Sequence, residues 1–171
     1  MTSILKVSEI QDPTNSNTAL TIDAAGKVTA PNLVMPAGSV VQVVTGTDSA
    51  NNSTSSTSFV NTNLAATITP TSASSTIFVI ATGGVDNNAG GGNGYVTIAR
   101  NGTNLGNGTG GTSYFYSPYR LQIPWSASVL DSPASTSALT YTVQLRSGGG
   151  ATVEFPGTSA KKSITLIEIA G

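Results

Sequence analysis

Apolar and polar residues alternate along several segments of the chain, and this period of two is typical of β-strands with one buried face. The alternation is clearest in "YRLQIPWSASVL" and is repeated in "ALTYTVQLRS". Pro124 falls on the polar face of the first segment and lacks an N–H donor, so it predicts an edge strand or a bulge. The positions expected to face a core are Tyr119, Leu121, Ile123, Trp125, Ala127 and Val129 in the first segment, and Leu139, Tyr141, Val143 and Leu145 in the second.

Two other segments are apolar on both faces. "TIFVIAT" is a short unbroken apolar run, which is typical of a strand buried on both sides. "KKSITLIEIAG" also carries apolar residues on both faces and predicts a central strand. Glycine-rich segments connect the strand candidates. "GGG" is expected to form the turn of a hairpin between "ALTYTVQLRS" and "ATVEF", and "GGVDNNAGGGNG" is expected to form a long loop.

From residue 37 onward the chain thus contains about eight strand candidates and no convincing helix. Antiparallel connections follow, because parallel pairs need long crossovers. The pattern predicts an all-β protein in which residues 37–171 form an antiparallel β-sandwich of jelly-roll type. An up-and-down barrel is the alternative.

Residues 1–36 differ from the rest in having very little apolar bulk. "ILKVSEI" is a strand candidate, and "ALTIDAAGKVTAP" predicts a hairpin in which Leu20, Ile22 and Val28 alternate with polar neighbours. Such a segment cannot bury a core alone, but copies from several chains can share one. We therefore expect residues 1–36 to be an attachment and oligomerisation segment, followed by the Pro- and Gly-containing linker "APNLVMPAG".

The amino-acid composition limits the kinds of site and partner that the protein can have. Only 9% of the 171 residues are charged, the net charge is −1, and Cys and His are both absent. Disulfides, thiolate metal sites and imidazole bases are thereby excluded. The seven Lys and Arg are scattered, so no nucleic-acid partner is expected. No apolar run approaches the roughly 18 residues of a membrane span, and the N terminus carries no apolar export signal, so neither membrane insertion nor Sec export is expected.

Few motifs suggest a reaction. "GGGNG" is not followed by the Lys and helix of a phosphate-binding loop. Asp86, Asn87 and Asn88 offer oxygen atoms for calcium, but the alternating ligand pattern is missing and turn chemistry is favoured. A carboxylate pair made by Asp86 with Glu154 or Asp131 stays open until the fold is known. We expect no catalytic residue, no cofactor and no metal.

An aromatic cluster in "SYFYSPYRLQIPW" is the strongest candidate for binding. Flat rings on a surface contact sugars or proteins at low cost in conformational entropy. Tyr114 and Tyr116 are the candidate surface-binding residues, together with Asn87 and Asn88 of the glycine-rich segment. Core and strand-edge packing is the favoured interpretation of the cluster and covers at least Tyr119 and Trp125, and binding is the alternative for Tyr114 and Tyr116.

Several segments resemble structural proteins of phage particles. "ILKVSEIQDPTNSN" is similar to the opening of many virion proteins of tailed phages, marine and cyanobacterial ones among them. "ALTIDAAGKVTAP" resembles the L-x-I-D-x-x-G-x-V pattern of phage fibre and appendage proteins. "TITPTSASSTIFVIA", "VTIARNGTNLG", "SVLDSPASTSALTYTVQLRS" and "SITLIEIAG" resemble a module common at the C terminus of such proteins. The resemblance implies a trimeric, non-enzymatic virion protein with an N-terminal attachment segment and a C-terminal β knob.

The leading hypothesis is a trimeric fibre or knob-like appendage of the virion. It would attach to other virion proteins, on the capsid or the tail, through residues 1–36. Loops 84–94 and 106–118 would contact a host-surface glycan or protein. The alternative is a capsid decoration protein that stabilises the shell, which suits a chain of this length. Outside the virion, a glycan-cleaving enzyme or a carbohydrate-binding module is conceivable, although the missing His argues against an esterase triad.

Overall fold

The computed structural model describes residues 7–11, 18–30, 35–88, 92–149, 151–156 and 161–171. The chain divides into two compact units, Met1–Met35 and Pro36–Gly171, one residue away from the boundary expected from the sequence. The described residues form β-strands, turns and a single short 3₁₀ turn, Gly108–Gly110. The expectation of an all-β protein with antiparallel sheets is confirmed.

The first unit contains a small antiparallel sheet of three strands, β1 (Glu9–Gln11), β2 (Thr18–Ile22) and β3 (Val28–Thr29), in that order. The predicted hairpin is confirmed as the β2–β3 pair. Its turn is closed by Asp23, whose carboxylate accepts hydrogen bonds from the backbone N–H groups of Ala25 and Lys27, both at 2.9 Å. Gly26 supplies the positive φ of +79° that the turn requires.

The described residues of the second unit form eleven strands in two sheets. The first sheet is made of β4 (Val40–Asp48), β5 (Asn52–Thr54), β7 (Thr76–Asn87), β11 (Leu121–Asp131), β13 (Val153–Phe155) and β14 (Lys162–Ile169). The second sheet is made of β6 (Val60–Ile68), β8 (Gly92–Arg100), β9 (Thr103–Asn104), β10 (Ser113–Ser117) and β12 (Leu139–Ser147).

Some strands lie end to end and together fill one place in their sheet, so the eleven strands occupy eight positions. In the first sheet β4 and β5 fill one position, and β14 and β13 fill the next, which lies beside the long strand β7. β11 pairs with the other side of β7 along its whole length and forms the edge, as Pro124 predicted. In the second sheet β9 and β10 lie on one side of β8, and β12 and β6 follow on the other. Numbered in chain order, the positions run 1-8-3-6 and 2-7-4-5.

The core lies between the two sheets. Tyr141, whose ring is fully buried, faces it from β12 as the alternation predicted. β14 lies between β4 and β7, which confirms its predicted central place. The largest contributors are Leu64 and Ile68 from β6, Ile98 from β8, Val143 and Leu145 from β12, Ile77 and Val79 from β7, Ile164 and Leu166 from β14, and Phe155 from β13.

A partly buried ion pair joins the sheets. Arg100 of the second sheet donates two hydrogen bonds to the Asp131 carboxylate at the end of β11, at 2.6 and 2.7 Å. The Tyr141 hydroxyl donates a third to the same carboxylate at 2.7 Å. Burial and this bond raise the pKa of the Tyr141 hydroxyl. The Asp131 carboxylate therefore connects the two sheets through Arg100 and Tyr141, and it does not form a carboxylate pair with Asp86.

A fully buried carboxylate, that of Glu168, anchors the last strand. It accepts hydrogen bonds from the Gln42 amide at 2.6 Å and from both the backbone N–H and the hydroxyl of Thr71 at 2.7 Å. Burial acts to raise the pKa of Glu168, but these hydrogen bonds outweigh it and hold the pKa below its usual value.

Three expectations about local structure were wrong. β12 and β13 do not form a hairpin, because the chain crosses after β12 to the first sheet, where β13 pairs with β5 and β7. Tyr119 and Leu121 are 79% and 44% exposed, because β11 turns its alternate side chains inward only from Ile123 onward. "TIFVIAT" is buried on one face only, since Phe78 and Ile80 lie half-exposed on the outer face of the first sheet.

The glycine-rich segment expected to be a loop is mostly strand. β7 extends to Asn87 and β8 begins at Gly92. Its glycines leave room for large neighbours: a Cβ at Gly83 would overlap the Phe155 ring, and a Cβ at Gly94 would overlap the Phe115 ring. The absence of side chains at Gly83 and Gly94 makes room for these two rings.

Candidate ligand-binding surface

An aromatic row crosses the outer face of the second sheet. The strand register places Tyr114 of β10 opposite Tyr95 of β8, and Tyr95 opposite Arg146 of β12. Phe59 continues the row beyond Arg146. The rings of Tyr114 and Tyr95 lie 5.0 Å apart with a 52° tilt. We refer to Tyr114, Tyr95, Arg146 and Phe59, together with Tyr116 on the same face of β10, as the aromatic row.

Arg146 connects the two halves of the row. Its guanidinium carbon lies 3.7 Å from the centre of the Tyr95 ring and 5.5 Å from that of Phe59. Its Nε donates a hydrogen bond of 2.7 Å to the backbone carbonyl of Thr109. Stacking of this kind stabilises by about 0.5 to 2 kcal/mol, so the guanidinium is held in place rather than moving freely.

The local sequence of β10 turns its tyrosines outward. Phe115 points into the sandwich and covers Gly94 on the adjacent strand. Because side chains alternate along a strand, Tyr114 and Tyr116 then face solvent, with 57% and 56% of their surface exposed. Both side chains are therefore accessible to a ligand, whereas packing was the favoured interpretation of the sequence. Tyr116 lies opposite Asn93, which adds a side-chain amide beside the aromatic row.

Asn87 corrects the sequence interpretation. Its side chain is fully buried, and its amide donates hydrogen bonds to the backbone carbonyls of Gly92 at 2.8 Å and Ser117 at 3.0 Å. It therefore fastens the start of β8 to the end of β10 and is not part of a binding surface. An amide satisfies two buried carbonyls that would otherwise lack donors, which explains its position.

Asn88 is exposed but belongs to another part of the surface. Its amide donates to the Glu154 carboxylate of β13, in the first sheet, at 2.5 Å. Strand pairing places Asp86 opposite Glu154, yet Asp86 is occupied by Arg120, whose Nη2 and Nε donate to it at 2.9 and 3.1 Å. Asp86 and Glu154 are thus neighbours on the first sheet, where Asp86 forms an ion pair with Arg120 and Glu154 accepts a hydrogen bond from Asn88.

Sequence analysis missed Tyr95 and Arg146. Alternation within "YVTIARNG" and "VQLRS" puts both on the face opposite the core, which was a usable signal. What the alternation does not contain is the pairing of β8 with β10 and β12, and that pairing brings them beside Tyr114.

The described ranges contain no group of three or more His, Cys, Asp or Glu side chains arranged to hold a metal ion. They also contain no helix with the length and apolar character required to cross a bilayer. Comparison with models of known protein families finds no match, and comparison with curated proteins finds none either.

The aromatic row offers a specific chemistry. The exposed phenol rings of Tyr114 and Tyr116 provide flat apolar surfaces with a hydroxyl at the edge, and Arg146 and Asn93 provide hydrogen-bond donors beside them. This combination suits a ligand with an apolar face and hydroxyl groups around its rim, such as a sugar ring.

Proposed function

We propose that the protein is a non-enzymatic structural protein of a tailed-phage virion. In this proposal it forms a trimeric fibre- or knob-like appendage that attaches to other virion proteins through its N-terminal unit. The sandwich displays the aromatic row toward the host surface, where it binds a glycan. The exposed aromatic row is the observation that carries the binding part of the proposal.

The strand order supports the architecture expected of such a knob. We infer that the sandwich is a jelly roll, because positions 1-8-3-6 and 2-7-4-5 correspond to two nested Greek keys. Viral capsid and lectin domains use this architecture, which is a fold-level analogy to both parts of the proposal. The location in a virion rests on the resemblance of the sequence segments and on this analogy.

A binding experiment tests the role of the aromatic row. The full chain is titrated with polysaccharide purified from the envelope of the host bacterium, by isothermal titration calorimetry. We expect saturable binding without new reducing ends. Tyr114→Ala and Tyr116→Ala are each expected to weaken binding by about tenfold, since truncating a central aromatic contact typically costs more than 1 kcal/mol.

Tyr119→Ala is the matched control, because Tyr119 is 79% exposed but lies outside the row. It should bind as the unchanged protein does. Equal losses in all three variants, or no effect of Tyr114→Ala and Tyr116→Ala, would refute the assignment of the aromatic row. Turnover of the polysaccharide that is lost on changing one carboxylate to its amide would refute the non-enzymatic function.

Capsid decoration is a second candidate function. It is favoured by the apolar outer face of the first sheet, where Val43 and Leu130 are 56% and 65% exposed. A decoration protein needs such a surface against the shell. Antibody labelling of phage particles in the electron microscope separates the two: label on the tail supports the appendage, and label over the capsid supports decoration.

A further inference from the structure

The outer face of the first sheet is an uncovered surface with a regular chemistry. One row of apolar side chains crosses all four strand positions, since the register aligns Leu130 with Phe78, Phe78 with Ile167, and Ile167 with Val43. Ile80 and Ile169 extend the apolar area on either side of this row. We refer to this surface, bounded by the rows through Thr76 and Thr82, as the apolar face.

Apart from Val40, which lies opposite Ile169, the remaining side chains of the apolar face are uncharged hydroxyls. Thr45 faces Thr165 at 3.4 Å between their hydroxyl oxygens, and Thr82 faces Ser163 at 3.1 Å. Between the rows through Thr76 and Thr82, the pairing registers bring no Asp, Glu, Lys or Arg to this side of the sheet. The second sheet differs, because its outer face carries Arg146.

These features indicate that the apolar face is covered by other copies of this chain. Contacts between uncharged surfaces of several copies bring no like charges together, and Val, Ile and Thr side chains pack closely on one another, as in the interior of a sandwich. β7 and β14 carry apolar residues on both sides, a pattern typical of strands that are covered twice. Within the described residues of the second unit, the second sheet covers the inner sides of these strands, and Phe78, Ile80 and Ile167 on the outer side are partly exposed.

The size of the face is consistent with a subunit contact. Four strand positions spaced by about 4.8 Å and seven residues at about 3.3 Å each give a planar area of about 440 Å². This is about half of the roughly 800 Å² per partner of a standard interface, so the apolar face accounts for the central part of a subunit contact.

We propose that the apolar face is the interface with other copies of this chain, covered in the proposed trimer around its axis. This inference rests on the trimer in the proposed function and assigns its contact surface. It requires neither the aromatic row nor a glycan.

Charge substitution at the exposed ends of the apolar row tests the interface. The full chain with Val43→Glu and Leu130→Glu is compared with the unchanged chain by sedimentation velocity across a range of concentrations. Both side chains are more than half exposed, so the subunit fold is expected to tolerate the changes, which circular dichroism checks. Asn63→Glu, on an exposed site of β6 in the second sheet, is the matched control.

We expect a mass of three chains for the unchanged protein and for Asn63→Glu, and a rise of about a hundredfold or more in the dissociation constant for the double variant, because each carboxylate would be buried without a partner. A two-chain mass that is lost in the double variant supports the interface and overturns the trimer. A three-chain mass that persists in the folded double variant overturns the interface and leaves the trimer standing. A monomeric unchanged protein overturns both.

Discussion

Replacing Lys162 with Met should destabilise the sandwich far more than its position near the end of a strand suggests. The Lys162 side chain is fully buried. Its ammonium donates hydrogen bonds to the Asp48 carboxylate at 2.7 Å, to the Phe155 carbonyl at 3.1 Å and to the Ala50 carbonyl. It sits where two neighbouring strand positions are interrupted, between β4 and β5 and between β13 and β14, and it joins the four ends.

The magnitude follows from what Lys162→Met leaves behind. Asp48 loses its cation but still accepts hydrogen bonds from the backbone N–H of Ala50 at 2.9 Å and from the Asn52 amide at 2.8 Å. Breaking a buried pair typically costs 3–5 kcal/mol. Because the carboxylate keeps two donors and Met keeps most of the volume, we expect the lower end, about 3 kcal/mol, or a fall in Tm of about 6–12 °C.

Urea unfolding followed by tryptophan fluorescence measures this change, because Trp125 is the single tryptophan and is buried against Phe155. Lys161→Met is the matched control: it removes the same charge from the exposed neighbour and should change stability by less than about 0.5 kcal/mol. The double variant Asp48→Asn, Lys162→Met should cost less than the sum of the two single changes. Equal midpoints for Lys161→Met and Lys162→Met, or strict additivity in the double variant, would refute the reasoning.

Three more predictions concern the fold. Tyr141→Ala should cost about 3–5 kcal/mol and its outward-facing neighbour Thr142→Ala about 0.5 kcal/mol; similar urea midpoints would mean that the register is wrong. The lowered pKa of Glu168 contributes stability that is present above the pKa of the unfolded chain and is lost as the pH falls through the folded pKa. In thermal scans at decreasing pH, the Tm of Glu168→Gln should therefore fall less steeply than that of the unchanged protein. An equally steep fall in both proteins would contradict this. Gly46→Ala should destabilise by about 2 kcal/mol or more, because its Cβ would overlap the backbone of β6, whereas Gly110→Ala meets open space and should be close to neutral in the same scans.

The sequence was sufficient to predict the strands and their inward faces wherever alternation is regular. Tyr141 in β12 and Trp125 in β11 face the core for the reason the pattern indicates, namely that a period of two assigns every second side chain to one side. The pattern contains no information about partners across the sandwich. "GGG" predicted a hairpin because adjacent strands usually pair, but β13 pairs with β5 and β7 instead.

The candidate site was predictable only in part, for the same reason. Tyr114 and Tyr116 are close together in the sequence, so their cluster was visible before the fold was known. Tyr95 and Arg146 reach them only through strand pairing. Asn87 was misassigned because an Asn beside glycines usually marks an exposed turn, whereas here its amide binds two carbonyls inside the structure.

The two proposals constrain one another through the geometry of a sandwich. Its sheets pack about 10 Å apart, so their outer faces point in opposite directions. If the apolar face of the first sheet is covered by other copies around a common axis, the second sheet and its aromatic row must face outward. An assembly of three would then present three tyrosine surfaces at once. Individual contacts between a sugar and a shallow aromatic surface are weak, and simultaneous engagement raises the overall affinity by about 10²- to 10⁴-fold without any new contact. The uncharged face would thus serve binding indirectly, because it assembles the copies whose outward faces act together.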